Sequence, residues 1–146
     1  MDASISMNEF EVLQVSWLDM EPYLRSIRTQ VFIEEQNVAE ELEWEEEDAD
    51  CVHLLVKKDN DYIATARLLE TGQIGRMAVL KPYRQCGIGS AMLQNILSIA
   101  KDMDMQSVFL NAQIDAIKFY EKFGFLKQGD TFDDAGIPHV RMDKVL

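Results

Sequence analysis

Residues 74–90, IGRMAVLKPYRQCGIGS, join a predicted strand to a predicted helix through a glycine-containing loop. Ile74–Leu80 is a short apolar run and predicts a strand. Gly87–Met103 predicts an amphipathic helix, because its apolar residues recur at steps of three and four. The connection contains Gly87 and Gly89, which can adopt backbone angles closed to other residues and let a ligand approach the main chain. Because the first turn of a helix presents unpaired N–H groups and positive potential, this arrangement predicts a phosphate or pyrophosphate site.

The predicted phosphate loop does not match two common phosphate motifs. Lys81 and Arg84 supply positive charge nearby. A dinucleotide motif GxGxxG would need glycine at position 92, where the chain has Met92, and no Walker motif GxxxxGK[ST] occurs. From these residues alone, a tight strand-to-helix turn without a ligand stays open as the alternative.

The rest of the chain predicts an α+β fold with a mixed sheet. Further strands are expected at residues 8–15, 51–56, 62–69, 107–110 and 140–145, with Leu126 joining the sheet. Helices are expected at 23–36, after Pro22, and at 115–123, before Gly124 as the C-terminal cap. Turns after the strands at 51–56 and 62–69 make that part of the sheet an antiparallel meander. A chain of 146 residues fits one domain.

The composition restricts the partners and the compartment. The formal net charge is -12, which argues against nucleic acid or an anionic membrane as the main partner, because phosphate binding needs a cationic surface. No apolar run is long enough to span a membrane, and the N-terminus lacks the basic start and apolar core of a secretory signal. Cys51 and Cys86 are expected as free thiols, and two histidines are too few for a zinc site. These features predict a cytoplasmic protein without a metal.

Most of the net negative charge comes from one segment, residues 34–50, which carries ten of the 26 acidic residues and no base. A solvated face or a mobile loop is the simplest interpretation of such a run. The sharper interpretation is an anionic entrance that attracts a cationic substrate. Trp44 within the segment is expected to form a lid or pocket wall, or to anchor the segment.

Two sets of residues resemble the motifs of GCN5-related N-acetyltransferases, the GNAT family. Arg84-x-x-Gly87-x-Gly89, between a strand and an amphipathic helix, resembles motif A. Asn111-Ala112-Gln113, together with AIKFYEKFGF at 116–125, resembles motif B. The small bacterial branch typified by YjcF- and ElaA-like acetyltransferases is similar to this chain at VFIEEQ (31–36), Asp50, His53, ARL (66–68) and GIPH (136–139). The resemblance covers roughly residues 8–146.

The resemblance implies a single-domain GNAT fold over residues 1–146, with a mostly antiparallel sheet splayed at an acetyl-CoA site and flanked by about four helices. Residues 1–6 are expected to be a disordered start. Acetyl-CoA is the implied co-substrate, and the implied reaction is direct transfer of its acetyl group to a primary amine of a small molecule. The implied cofactor-binding residues are Met77, Ala78, Val79, Arg84, Gln85, Cys86, Gly87, Ile88, Gly89, Ser90, Asn111 and Tyr120. A main-chain N–H at 77–79 would polarise the thioester carbonyl.

Three residues are candidates for proton transfer. Tyr120 matches the tyrosine that commonly protonates the departing thiolate in this family, and packing on the sheet is its alternative role. His139 matches the catalytic base of glyphosate N-acetyltransferase, which the segment 129–139 resembles. A structural histidine in a loop before the final strand stays open for His139. Glu35 is a second base candidate, acting directly or through water.

Three other residues are expected to take no part in the reaction. His53 lies inside an apolar strand and is expected to be a core histidine with its hydrogen bonds satisfied. Cys51 is expected to be a small core residue. Cys86 lies in the predicted phosphate loop, but no activating base is evident beside it, so it is expected to be a spectator thiol.

The acceptor is inferred from a difference between this chain and a relative. Glyphosate N-acetyltransferase holds an anionic substrate with arginines, and one of those positions is Gln113 here. Together with the acidic segment, this predicts a cationic acceptor such as a polyamine, an aminoglycoside or an amino-acid-like amine. A non-catalytic acyl-CoA-binding or protein-interaction module on the same fold is the alternative function. A homodimer is compatible with the resemblance.

Overall fold

A computed structural model describes residues 9–146 as one seven-stranded sheet with four α-helices. The strands are β1 (Glu11–Val15), β2 (Val52–Lys58), β3 (Asp61–Leu68), β4 (Gln73–Val79), β5 (Ser107–Gln113), β6 (Leu126–Asp134) and β7 (Ile137–Val145). The α-helices are α1 (Trp17–Arg28), α2 (Glu40–Glu43), α3 (Ile88–Asp102) and α4 (Ile117–Glu121). The expected α+β class and helix number are therefore confirmed, whereas the predicted disordered start lies outside the described residues.

The sheet order is β1-β2-β3-β4-β5-β7-β6. Strands β2 to β4 form the predicted antiparallel meander, and β1 pairs antiparallel with β2 at the edge of the sheet. Strand β5 is parallel to β4, because α3 carries the chain back across the sheet between them. Strands β7 and β6 then complete the sheet with antiparallel pairing. The mixed sheet therefore contains one parallel junction, between β4 and β5.

The main core lies between α3 and the sheet. The buried stripe of α3 comprises Ile88, Met92, Leu93, Ile96 and Ala100, and it packs against the apolar residues of β2 to β5 and β7. The spacing of apolar residues predicts four of these, Ile88, Met92, Ile96 and Ala100. It also predicts Ile99 and Met103, but Met103 is 46% exposed, and it does not predict Leu93. A second, smaller core lies under α1, where Leu24 and Ile27 are buried. No helix within residues 9–146 is long and apolar enough to cross a bilayer.

The first helix begins earlier than the sequence predicts. Helix α1 starts at Trp17, with Ser16 as its N-cap: the Ser16 hydroxyl accepts a hydrogen bond from the Asp19 N–H at 3.2 Å. The predicted start at Pro22 is therefore wrong, and Pro22 lies inside the helix. A π-helical segment, Thr29–Glu35, follows α1 directly, so the helical chain ends close to the predicted Gln36.

The C-terminal part of the chain forms a hairpin where the sequence indicated a loop. The turn between β6 and β7 has positive φ at Ala135 (53°) and Gly136 (80°), as the tight primed hairpin turns require. All nine residues of β6 are exposed, so the strand has no alternation of buried and exposed residues that a pattern could reveal. As a correction, His139 lies within β7 and not in a loop before the last strand.

Candidate active site

Strands β4 and β5 separate soon after they begin to pair. Their parallel pairing covers Gln73 opposite Phe109 and Ile74 opposite Leu110. On the other side of β4, Arg76 and Met77 lie opposite the single residue Ala66 of β3, which is a β-bulge. Arg76 has φ 49° there, outside the range of a regular strand. The bulge and the short pairing leave the second half of β4 without β5 as a neighbour.

A cavity of about 530 Å³ lies at this opening. Its wall includes Gly75, Arg76 and Met77 from β4 and Leu110, Asn111 and Gln113 from β5. Tyr120 and His139 also line it. Of the implied cofactor-binding residues, the wall thus contains Met77, Asn111 and Tyr120, while the described loop residues 84–90 lie outside it.

Tyr120 on α4 faces the bulged part of β4. Its hydroxyl lies 3.7 Å from the Met77 sulfur, which is a weak hydrogen-bond acceptor. The buried ring of Phe125 holds the Tyr120 ring edge-on, with the centroids 6.0 Å apart. Burial raises the pKa of Tyr120 to about 12, so the phenol keeps its proton throughout the neutral range. The Tyr120 hydroxyl is therefore a protonated donor, and a better acceptor could replace the Met77 sulfur as its partner.

His139 lies on β7 directly opposite Gln113 of β5. The imidazole is buried, and its Nδ1 lies 2.7 Å from the Ile137 carbonyl oxygen. Because a carbonyl can only accept a hydrogen bond, Nδ1 carries the proton of the neutral ring and Nε2 keeps its lone pair. The ring also stacks on Phe132, with centroids 6.1 Å apart. This geometry holds the ring in the tautomer that a base needs.

The loop between β4 and α3 contains two residues in the left-handed region. Gln85 has φ 63° and Gly87, the N-cap of α3, has φ 82°. Left-handed residues in such a turn orient successive N–H groups toward one concave surface, which favours an anion. The N-cap of α3 makes no side-chain hydrogen bond, so no side chain of the N-cap satisfies the first N–H groups of this helix. The described loop therefore has the features that the sequence predicts for a phosphate site.

Gly87→Ala is expected to destabilise the fold by about 1–2 kcal/mol, because an L-residue is strained in the left-handed region. The added Cβ would meet nothing within 4 Å, so backbone strain is the sole cause. Gly87→Asn should cost less, since asparagine tolerates this region better. Urea unfolding measures the difference.

Gly75→Ala is the matched control, because its Cβ would also meet nothing within 4 Å and Gly75 has no positive φ. It should leave the free energy of unfolding unchanged or slightly higher. Equal effects of the alanine at 75 and 87 would show that the loop relaxes and that φ at Gly87 is not essential.

Arg84 and Glu35 form a bidentate ion pair. Arg84 Nη1 and Nη2 donate to the two Glu35 carboxylate oxygens at 2.7 and 2.6 Å. Arg84 Nε donates to the Val79 carbonyl oxygen at 2.9 Å. The hydrogen bond from Arg84 lowers the pKa of Glu35, which makes this carboxylate a weaker base than a free one. The pair thus joins Glu35, which was a candidate base, to Arg84, which was an implied cofactor-binding residue.

The acidic segment is partly buried. Arg28, which is 1% exposed, donates from Nε to Glu43 at 2.6 Å and from Nη1 to Asp48 at 2.9 Å. Arg67 donates to Asp48 at 2.7 Å and to Glu45 at 2.8 Å, and Arg76 donates to Glu45 at 2.9 Å. The expectation of a solvated face or mobile loop is therefore wrong for Glu43 and Asp48, which are buried. Glu45 is exposed but joins them in an ion-pair network with arginines from α1, β3 and β4.

Two carboxyls of this network have opposite pKa shifts. Burial raises the pKa of Glu43 by more than the charges of Arg76 and Arg28 lower it. Burial also disfavours the charged form of Asp48, but hydrogen bonds from Arg28 and Arg67 outweigh it and lower the pKa to about 2. Asp48 is therefore the carboxylate that the arginines stabilise most clearly as an anion.

Trp44 anchors the acidic segment and is not part of the cavity wall. Its ring lies 4.5 Å from the Arg25 guanidinium and 5.0 Å from that of Arg28. His53 is buried as predicted, with Nε2 donating to the Asp48 carbonyl oxygen at 2.7 Å, and burial lowers its pKa. Burial raises the pKa of Cys51 to about 11, so this thiol is unreactive.

The sequence did not predict the contacts that several residues of the site make. Gln36 accepts a hydrogen bond from Gln113 Nε2 at 3.0 Å, and both residues line the cavity. Arg67 and Arg76 line it too. A glutamine in the sequence does not indicate its hydrogen-bond partner. An arginine at a strand position likewise does not indicate which carboxylate it pairs with in the fold. The sole available signal was ten acids without a base in residues 34–50, which implied partners elsewhere in the chain.

Comparisons with known proteins agree with this geometry. A family model for the acetyltransferase (GNAT) domain matches residues 8–146. The chain is 38% identical to the uncharacterized protein YyaT of Bacillus subtilis, over 82% of this chain and 85% of that one. It is 34% identical to the uncharacterized N-acetyltransferase YjcF of the same organism, over 81% and 87% of the two chains. The crystal structure of Escherichia coli ElaA superposes with a TM-score of 0.81 at 27% identity, covering 93% of this chain and 99% of ElaA.

Proposed function

The chain belongs to the GNAT acetyltransferase family, and from that premise we propose that it transfers the acetyl group of acetyl-CoA to a primary amine of a small cationic molecule. The observation that carries the proposal is the opening between β4 and β5, because its cavity is lined by both a protonated phenol, Tyr120, and an imidazole with a free lone pair, His139. One group can donate a proton and the other can accept one.

The features of β4 and of the loop after it fit acetyl-CoA. Within residues 9–146, the main chain of Met77–Val79 has no strand partner on the β5 side, so it can pair with the extended pantetheine arm. The N–H groups of Gln85–Ser90 can hold the pyrophosphate, because the loop and the start of α3 favour an anion. Acetyl-CoA supplies the activated acetyl thioester.

Two side chains of the cavity handle the protons. Tyr120 Oη holds a proton that it can donate to the departing thiolate sulfur. His139 Nε2 can accept the proton that an ammonium must lose before it attacks a carbonyl. Glu35 is less suited to the second task, because its pair with Arg84 stabilises the unprotonated form. Cys86 Sγ donates to the Arg84 carbonyl oxygen at 3.5 Å and has no part in the transfer.

Carboxylates without ion-pair partners support a cationic acceptor. Glu45 and Glu43 of the cavity wall are paired with Arg67 and Arg76, as described above. Glu47 and Asp134 also line the cavity, both are exposed, and neither has an ion-pair partner among the described residues. The negative charge of these two carboxylates can attract a second ammonium group of a polyamine or an aminoglycoside.

The test is a panel of amines with acetyl-CoA, in which the release of free thiol is measured. Putrescine, spermidine and an aminoglycoside are expected to be acetylated, and aspartate and an aminophosphonate are not. Transfer to anionic amines alone would overturn the cationic acceptor, and no transfer to any amine would overturn the proposed function.

Glu47→Gln and Asp134→Asn are each expected to raise KM for the diamine roughly two- to fivefold, in line with the weak energies of exposed ion pairs. The value of kcat should not change, because neither residue moves a proton. Glu46→Gln is the matched control, since Glu46 is an exposed neighbour that does not line the cavity. Equal KM values for all three variants would show that these carboxylates do not contact the acceptor.

A further inference from the structure

Two adjacent residues at the end of the π-helical segment connect to both sides of the opening between β4 and β5. Glu35 is bonded to Arg84, which in turn holds the Val79 carbonyl at the last residue of β4. Gln36 is bonded to Gln113, the last residue of β5. The bonds join residues 49 and 77 positions apart, respectively. The two strand ends are therefore tied to one point of the chain.

We propose that Glu35 and Gln36 form a brace that sets the width of the opening between β4 and β5, and that both are positioning residues for acetyl transfer. The kinetic part of this inference rests on the proposed function, whereas its structural part does not.

The opening needs such a connection because the strands themselves do not supply one. Beyond Ile74 and Leu110 the described strands have no ladder of hydrogen bonds between them. One side of the opening holds the main chain of β4, and the other holds Gln113 with His139 opposite it on β7. A change in width would therefore move the base relative to the main chain of β4, and misplacement by about 1 Å can cost roughly a hundredfold in rate.

The bonds of Arg84 make Glu35 a structural partner. All three guanidinium nitrogens of Arg84 donate, two to Glu35 and one to Val79, in the planar geometry that suits a carboxylate. Lysine or glutamine in place of Arg84, or glutamine in place of Glu35, could not reproduce the two parallel bonds.

The first experiment is a double-mutant cycle with Glu35→Gln, Arg84→Gln and the double variant. Each single variant is expected to lower kcat for the amine roughly ten- to hundredfold. The double variant should be no slower than the slower single one, because both changes break the same bond. Glu34→Gln is the matched control, since this exposed neighbour makes no ion pair within the described residues and should keep the wild-type rate.

The pH profile separates a brace from a base. If Glu35 only positions Arg84, the Glu35→Gln variant is slower at every pH and keeps the shape of the wild-type profile. Loss of the acidic limb in Glu35→Gln, with Arg84→Gln still close to the wild-type rate, would identify Glu35 as the base and overturn the proposal. Fully additive effects in the double variant would also overturn it.

Hydrogen exchange tests the brace without any activity. Glu35→Gln and Gln36→Ala are expected to speed amide exchange at the ends of β4 and β5, residues 77–80 and 111–113, while Glu34→Gln does not. If the wild-type protein acetylates no amine, the proposed function fails but this readout still decides the brace. Unchanged exchange in both variants would show that the two bonds do not hold the opening.

Discussion

Tyr120→Phe is expected to lower kcat by about two to four orders of magnitude, the usual contribution of a general acid. The substitution removes the hydroxyl that faces Met77 and keeps the ring that packs on Phe125. Because proton donation is the role proposed for the hydroxyl, the dissociation constant of acetyl-CoA should stay within about threefold of the wild-type value. Stopped-flow or steady-state assays of thiol release, together with calorimetric titration of acetyl-CoA, measure the two quantities.

Tyr62→Phe is the control for the loss of a phenolic hydroxyl. Tyr62 lies on β3, packs against Tyr23 and does not line the cavity. The Tyr62→Phe variant should therefore transfer the acetyl group at the wild-type rate. A Tyr120→Phe variant with a wild-type rate would assign Tyr120 a packing role and leave proton donation to another group. Since the pKa of Tyr120 is raised to about 12, any alkaline fall in wild-type activity below pH 10 should not come from this residue.

Arg28→Ala is expected to destabilise the protein by about 3–5 kcal/mol, the usual cost of removing one partner from a buried ion pair. Arg28 makes four hydrogen bonds, to the side chains of Glu43 and Asp48 and to the Glu43 carbonyl. Its loss leaves two carboxylates, each 2% exposed, with fewer charge partners. Urea unfolding at neutral pH measures the change.

Arg25→Ala is the matched control on the same helix. Arg25 also lies over Trp44, at 4.5 Å, but its ion pair with Glu21 is about 40% exposed on each side, so its removal should cost less than about 1 kcal/mol. If Arg28→Ala does not fold, Arg28→Lys keeps the charge with fewer donors and should lie between the two. Equal effects at positions 25 and 28 would contradict a stabilising role for the buried network.

Asp48 gives the network a pH dependence. Its folded pKa of about 2 lies below the ordinary 3.8, so its contribution to stability is complete above pH 4 and is lost as the pH falls toward 2. The Glu43 pKa is shifted the other way, so this carboxyl favours the folded state most when it is protonated.

The sequence predicted those parts of the fold that depend on local patterns. Most of the apolar stripe of α3 and the hairpin of β2 and β3 follow from spacing. The predicted cap Gly124 has φ 89°, but α4 already ends at Glu121, with Lys122 as its C-cap. The motif around Gly87 resembles a motif of the GNAT family, and this resemblance implied a splayed sheet. Starts and ends were less accurate, because Ser16 capped a helix that the pattern began at Pro22, and β6 had no buried face to reveal it.

The local pattern of residues was thus sufficient to predict the glycine-containing loop and the amphipathic helix after it. The resemblance to the GNAT family added the expectation that Tyr120 and His139 belong to one site. Which charges neutralise one another depends on the fold, because the paired groups are far apart in the chain. Arg28 with Glu43 and Asp48, Arg84 with Glu35, and Gln113 with Gln36 are pairs from distant positions in the chain. Hydrogen bonds and ion pairs act over a few ångströms in space, and a charge pattern along a chain does not specify which groups the fold brings that close.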